Sequence, residues 1–204
     1  MIRVFAALPL PAPALERLEM AAGELGRRAG SLRVVRPEGM HVTLIFFGEL
    51  EEGPVQTIER ALDHPSLAGP PIEASLGGLG QFPPRGAPRV LYCPIRQGVE
   101  AIKALHGRLR EALLAQWNTH SGRNRESSEP REAAGPAWDD RRPFAPHITV
   151  ARNRGGAVKL SELEELFRFE QPATLDRLVL FQSILKPGGA EYRPLKTVRF
   201  SRES

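Results

Sequence analysis

The chain has 204 residues, enough for one full domain with a sizeable core or for one domain built from two similar lobes. Its formal charge of +4, from 28 Lys plus Arg against 24 Asp plus Glu, permits attraction to phosphates but falls short of a nucleic-acid packaging protein. One cysteine, Cys93 in the apolar run RVLYCPI, excludes an internal disulfide framework and a cysteine-rich zinc site; it reads as core packing.

In chain order, IRVFAAL reads as an opening strand. PAPALERLEMAAGELGRR follows with Leu15, Leu18, Ala22 and Leu25 at helical spacing and its prolines at the start, where helices accept them. SLRVVR is a short strand stopped by PEG, and HVTLIFFGEL is a longer one. GPVQTIERALDH presents Val55, Ile58 and Leu62 on one helical face. IEASLGGLGQF is expected as a strand with a glycine irregularity, PPRGAP as a turn and RVLYCPI as a strand. GVEAIKALHGRLREALLAQW is the clearest helix, with Val99, Ile102, Leu105, Leu109 and Leu113 in phase. Residues 118–140 lose all periodicity and are expected as a long, flexible loop. APHITVARNR resumes as a strand, KLSELEELFRFE as a short helix and ATLDRLVLFQSIL as a strand. KPGGAE is a hairpin turn, and YRPLKTVRF closes the chain as a strand.

The element order predicts an α+β fold with two antiparallel-rich sheets, a central groove between two lobes and the helices outside. Residues 1–204 are expected to form a single bilobal domain. The tetrapeptide His41-Val42-Thr43-Leu44 returns 106 residues later as His147-Ile148-Thr149-Val150, about half the chain, as a duplicated half would require. Strand periodicity puts His41 and Thr43 on one face and Val42, Leu44 and Phe46 on the other. His147 and Thr149 likewise share a face opposite Ile148 and Val150. The apolar sides explain why the strands exist; they do not explain histidine and threonine. Two imidazoles can serve one reaction as general acid and general base, and two hydroxyls can hold the non-bridging oxygens of a phosphoryl group. Such a site suits in-line displacement at phosphorus, with neither a metal nor a cofactor.

The chain resembles the 2H phosphoesterase superfamily, and within it the RNA 2',3'-cyclic phosphodiesterases, also described as the 2'-5' RNA ligase family. Besides the two HxT pairs, the resemblance rests on RVFAALPLP, VVRPEGMHVTLIFFGEL, RPFAPHITVAR and LVLFQSILKPGGAEYRPL. It implies hydrolysis of a terminal 2',3'-cyclic phosphate on RNA to a 2'-phosphate. It implies His41 as the acid that protonates the 3' oxygen and His147 as the base that activates water, roles that the residues themselves leave exchangeable. Thr43 and Thr149 would hold the phosphoryl oxygens. The substrate is expected to be RNA with a cyclic phosphate end, tRNA fragments among them. No membrane association is expected, since no apolar run approaches transmembrane length and the N-terminal run lacks the flanks of a signal peptide. A cytoplasmic monomer is the default.

Around the quartet, Arg152 is a substrate-side cation by resemblance, although strict alternation gives it the wrong parity unless the strand bulges near Ala151. Phe5 and Phe47 are candidates to stack on the terminal base. Arg36 and Arg142 are candidates to supply positive potential, and Tyr192 to reach the groove. His106 reads as a helix-packing residue. None of the other histidines has ligand spacing, and no triphosphate-binding motif is present. Two alternatives share these residues: a phosphodiesterase or reversible ligase acting on 2'-5' linked RNA or on ADP-ribose cyclic phosphate, and a non-catalytic RNA-binding module.

Overall fold

A computed structural model of the chain describes residues 1–121, 138, 143–186 and 189–201. The elements are β1 (Ile2–Pro9), α1 (Ala12–Arg28), β2 (Leu32–Val34), β3 (His41–Leu50), α2 (Glu52–Ala61), β4 (Ile72–Leu76), β5 (Gly80–Phe82), β6 (Val90–Gln97), α3 (Val99–Ser121), β7 (His147–Asn153), β8 (Gln171–Leu175), β9 (Arg177–Lys186) and β10 (Gly189–Arg199). The strands join in one curved, antiparallel sheet of order β10-β9-β1-β3-β7-β6-β4-β8, with β2 added to β7 and β5 to β6. The fold is therefore α+β. The two halves of the sheet meet where β3 pairs β7, at the single residue pair Val42–Ile148.

The two ladders beside this seam repeat one another. In β1–β3, Pro9 pairs His41, Leu8 pairs Val42, Ala7 pairs Thr43, Ala6 pairs Ile45 and Phe5 pairs Phe46. In β6–β7, Pro94 pairs His147, Cys93 pairs Ile148, Tyr92 pairs Thr149, Leu91 pairs Ala151 and Val90 pairs Arg152. Both ladders skip the fourth residue of the motif, Leu44 in one and Val150 in the other. A bulge inserts one residue and reverses the parity of everything beyond it. Hence Leu44 and Ile45 are both buried, and so are Val150 and Ala151.

The bulges correct the expected alternation. Strict period two puts Phe46 on the apolar face with Val42 and Leu44, but it is 48% exposed, whereas Phe47 is buried in the core. Arg152, exposed, regains the face of His147 and Thr149.

Buried side chains of β3 and β7 belong to the same core as Leu18 and Leu25 of α1 and Ile102, Leu105 and Leu109 of α3. Burying each such leucine contributes about 1.5–3 kcal/mol before chain entropy is counted. Cys93 is fully buried there, and burial pushes its thiol up to about 12, as a packing residue rather than a nucleophile.

Three expected elements differ. IEASLGGLGQF splits into β4 and β5 because Gly77 lies against the backbone of Phe169, where an added Cβ would meet the carbonyl oxygen at 1.9 Å, and Gly78 has φ +85°. KLSELEELFRFE forms two short 3-10 turns, Leu160–Glu162 and Glu164–Phe167, instead of a helix. The Phe167 carbonyl accepts from Gly78 N at 2.7 Å and Phe167 is fully buried, so tertiary anchoring overrides the helical pattern. ATLDRLVLFQSIL divides at Asp176 into β8 and β9. The helix α3 also continues through Ser121, into the stretch expected as loop. The rest of the loop expected over 118–140 lies outside the described residues except for Trp138, which is buried and stands 5.7 Å from the Phe47 ring.

Candidate active site

Val42 and Ile148 pair across the seam and point into the core. One residue further in each direction, an antiparallel register puts His41 opposite Thr149 and Thr43 opposite His147. Directly opposed residues have Cβ atoms about 4.5–5.5 Å apart, and diagonal ones about 7–8 Å. All four side chains stand half-buried on the face away from Val42 and Ile148. The imidazoles occupy one diagonal of this rectangle and the hydroxyls the other. A phosphoryl group over its centre would have an imidazole on each of two opposite sides and a hydroxyl on each of the others. That is the arrangement an in-line displacement requires.

Each ring is oriented from behind. His147 Nδ1 lies 2.8 Å from the Ala145 carbonyl, which can only accept. The proton is thereby held on Nδ1, and the Nε2 lone pair is left for chemistry. The backbone of Glu38, in the 3-10 turn Pro37–Gly39 that delivers the chain into β3, lies beside the His41 ring and favours its protonated form. Phe5 stacks on His41 with centroids 4.9 Å apart, and Tyr192 meets the same ring edge-on at 5.6 Å. Phe181 closes this cluster behind Phe5 at 5.4 Å. Burial among these groups lowers the His41 pKa from 6.5 to about 4, against an opposing contribution from the Glu38 backbone. On the other side, Phe82 and Tyr92 meet the His147 ring at 5.0 and 5.2 Å.

The residues expected at the site divide as follows. His41, Thr43, His147 and Thr149 come together. Arg152 joins their face beyond Thr149. Tyr192 touches His41. Phe5 reaches the site, but at 4% exposure its ring supports His41 and has no open face for a base. Phe47 does not reach it: the register shift at Leu44 turns it into the core. Arg36 stands exposed at the entry to the 3-10 turn, and Arg142 lies outside the described residues. His106 packs face to face on Phe144 at 4.2 Å, as a helix-packing residue.

Sequence reasoning missed Phe82, Tyr92 and Phe181. Tyr92 was findable, because it precedes Pro94 by two residues as Ala7 precedes Pro9, so the second ladder could have been laid on the first. Phe82 and Phe181 carry no such signal and are brought in by pairing alone. Beside His147 opens a cavity of about 320 Å³ whose lining includes Phe82, Tyr92, Val99, Lys103 and Phe144. Among the described residues no group of three or more His, Cys, Asp and Glu side chains is placed to hold a metal ion. Among them, too, no helix is long and apolar enough to cross a membrane.

Residues 10–185 match the 2'-5' RNA ligase superfamily. An RNA 2',3'-cyclic phosphodiesterase of Thermus thermophilus is 34% identical over 197 residues, covering 96% of this chain and 88% of that protein. One from Geobacillus stearothermophilus is 30% identical over 152 residues, covering 74% of this chain and 42% of that longer protein. The crystal structure of a Thermus thermophilus protein, TT0787, superposes over the whole of both chains with a TM-score of 0.76 at 28% identity. With the quartet formed from both halves of such a sheet, the chain belongs to the 2'-5' RNA ligase superfamily.

Proposed function

We propose that the chain is an RNA 2',3'-cyclic phosphodiesterase that leaves a 2'-phosphate by paired-histidine acid-base catalysis. The observation that carries this reading is the register of the seam, which sets His41 and His147 on one diagonal across the Val42–Ile148 pair and Thr43 and Thr149 on the other. Membership of a superfamily whose relatives act on RNA cyclic phosphates supports the substrate. The two halves of the sheet act as two lobes of one catalytic domain, each contributing one HxT pair, and the repeated ladders are the trace of a duplication.

In the reaction His147 Nε2 takes a proton from water as the water oxygen bonds to phosphorus. The bond from phosphorus to the 3' oxygen breaks on the far side, and His41 gives that oxygen its proton. Thr43 and Thr149 donate to the non-bridging oxygens, where negative charge is held. The Ala145 carbonyl favours His147 as base because it fixes the tautomer with a free Nε2 lone pair. Desolvation weakens His41's hold on a proton, and the phosphodiester anion counteracts this on binding, since an opposite charge favours imidazolium. A proton held there passes readily to the leaving oxygen.

The cavity beside His147 is the seat for the terminal base, in place of Phe5 and Phe47. Its volume is at the small end of the range for ligand sites, about 300–1,000 Å³, and three aromatic rings line it. Stacking accepts any base, so base preference is expected to be weak. The partner is then the end of a cleaved RNA, a tRNA fragment among them, met in the cytoplasm by a single copy of the chain.

Incubating the protein with a short RNA bearing a 2',3'-cyclic end, in the presence of a chelator, is expected to give the 2'-phosphate. A 3'-phosphate product, or no product until a divalent ion is restored, would overturn the reading. The roles of the histidines are separable with a substrate whose leaving 3' oxygen is replaced by sulfur, which departs without protonation. The His41→Ala variant is expected to recover most of its lost rate on this substrate and His147→Ala to recover none. The opposite pattern would exchange acid and base.

A further inference from the structure

Beyond Thr149 on the site face, β2 pairs with β7 so that Arg33 stands directly opposite Arg152. Both are exposed, and neither has an ion-pair partner among the described residues. Leu32, the neighbour of Arg33, is buried, so Arg33 points away from the core. The Val150 bulge brings Arg152 onto the face of the catalytic quartet, and register brings Arg33 with it. The Arg33 guanidinium extends toward the first residue of β10, where a Cβ on Gly189 would lie 3.6 Å from Nη2. Like charges placed directly opposite on a sheet destabilise the free protein. An anion lying over both guanidinium groups removes that repulsion, and each group offers a planar fork of donors suited to phosphate.

The order of groups along β7 identifies which anion. The cavity comes first, beside Phe144 and Pro146; His147 and Thr149 follow; Arg152 comes last. A nucleotide has the same order. Its base and its 5' carbon leave the ribose at opposite ends, with the 2',3' edge between them. With the base in the cavity and the cyclic phosphate at the quartet, the 5' end is directed toward Arg152. Thr149 and Arg152 pair Tyr92 and Val90, two positions apart on β6 and hence about 7 Å along the sheet, on the order of the separation between successive backbone phosphates.

We infer that Arg33 and Arg152 form a clamp for the phosphodiester on the 5' side of the terminal nucleotide, which makes the protein select an RNA end over a mononucleotide. The inference rests on the reading of the quartet as a cyclic phosphodiesterase site. It assigns Arg33 a binding role and extends the site by one nucleotide.

The test compares kcat/KM on a 2',3'-cyclic mononucleotide with that on a short RNA carrying the same cyclic end, across a salt series, for the unmodified protein, Arg33→Gln and Arg33→Lys. The unmodified protein is expected to prefer the RNA. Arg33→Gln is expected to lose roughly tenfold on RNA and to flatten the log-log salt dependence of kcat/KM by about 0.7, the single-strand value for one phosphate contact. Arg33→Lys keeps the charge and is expected to keep the slope while losing part of the preference. A slope and an RNA-to-mononucleotide ratio unaltered in Arg33→Gln would overturn the clamp, as would a change confined to Tm. Failure of the unmodified protein on both substrates would instead remove the underlying reading.

Discussion

The His147→Ala variant is expected to hydrolyse a 2',3'-cyclic end roughly a hundredfold to ten-thousandfold more slowly than the unmodified protein, the range for loss of one acid-base group. The loss should appear in kcat rather than KM, because Nε2 interacts with a proton that moves only in the transition state. His41→Ala should fall in the same range. The double variant should be scarcely slower than either single one, since the two rings act as a unit on one displacement. Both rings are half-buried and His147 is hydrogen-bonded to backbone, so circular dichroism and thermal melting must accompany the kinetics. A folded His147→Ala variant turning over at the unmodified rate would exclude paired-histidine catalysis.

A second large effect is expected at Phe5, through His41 and through the core together. The Phe5 ring is 4% exposed and contacts His41, Phe181 and Tyr192. Truncation to alanine is expected to cost about 3–5 kcal/mol of stability, the usual range for a buried phenylalanine. It would also admit water to His41 and relieve the desolvation that holds its pKa at about 4. The sign of the pH dependence follows from linkage. The folded pKa lies below the ordinary value of 6.5, so the unfolded chain binds more protons between pH 4 and 6.5. The stability that goes with neutral His41 is full above pH 6.5 and drains away as pH falls to 4, by about 3 kcal/mol. In Phe5→Ala that slope should flatten, and the inflection of the kcat/KM profile that belongs to His41 should move up from near pH 4 toward 6.5. Urea unfolding at several pH values and an NMR titration of the His41 ring measure both. A Phe5→Ala protein with an unaltered His41 titration would show that the phenylalanine does not control the imidazole.

The repeated HxT tetrapeptides, their strand setting and their separation by half the chain were all legible, because period-two alternation is a local property. The amphipathic helices α1, α2 and α3 were legible for the same reason at period 3.6. The parity objection to Arg152 was legible too, with a bulge near Ala151 as the condition for removing it. What alternation could not reveal was the bulge itself, since an inserted residue is a feature of pairing between two strands. Phe46 and Phe47 were therefore exchanged, one facing solvent and the other the core. The 3-10 turns that replaced the expected short helix have the same origin, because the Phe167 carbonyl is committed to Gly78 from another part of the chain.

By itself the amino-acid sequence supplied the groups on which the proposed chemistry rests: two imidazoles and two hydroxyls on apolar-backed strands. The tertiary structure decided their geometry and their surroundings. The single pair Val42–Ile148 sets the diagonal on which the rings face each other. Packing by Phe5, Phe181 and Tyr192 lowers the proton affinity of His41. Pairing of β2 with β7 sets Arg33 beside Arg152. Each depends on which strands lie side by side, and strand neighbours are chosen by burial of the whole chain, not by the residues next to them in sequence.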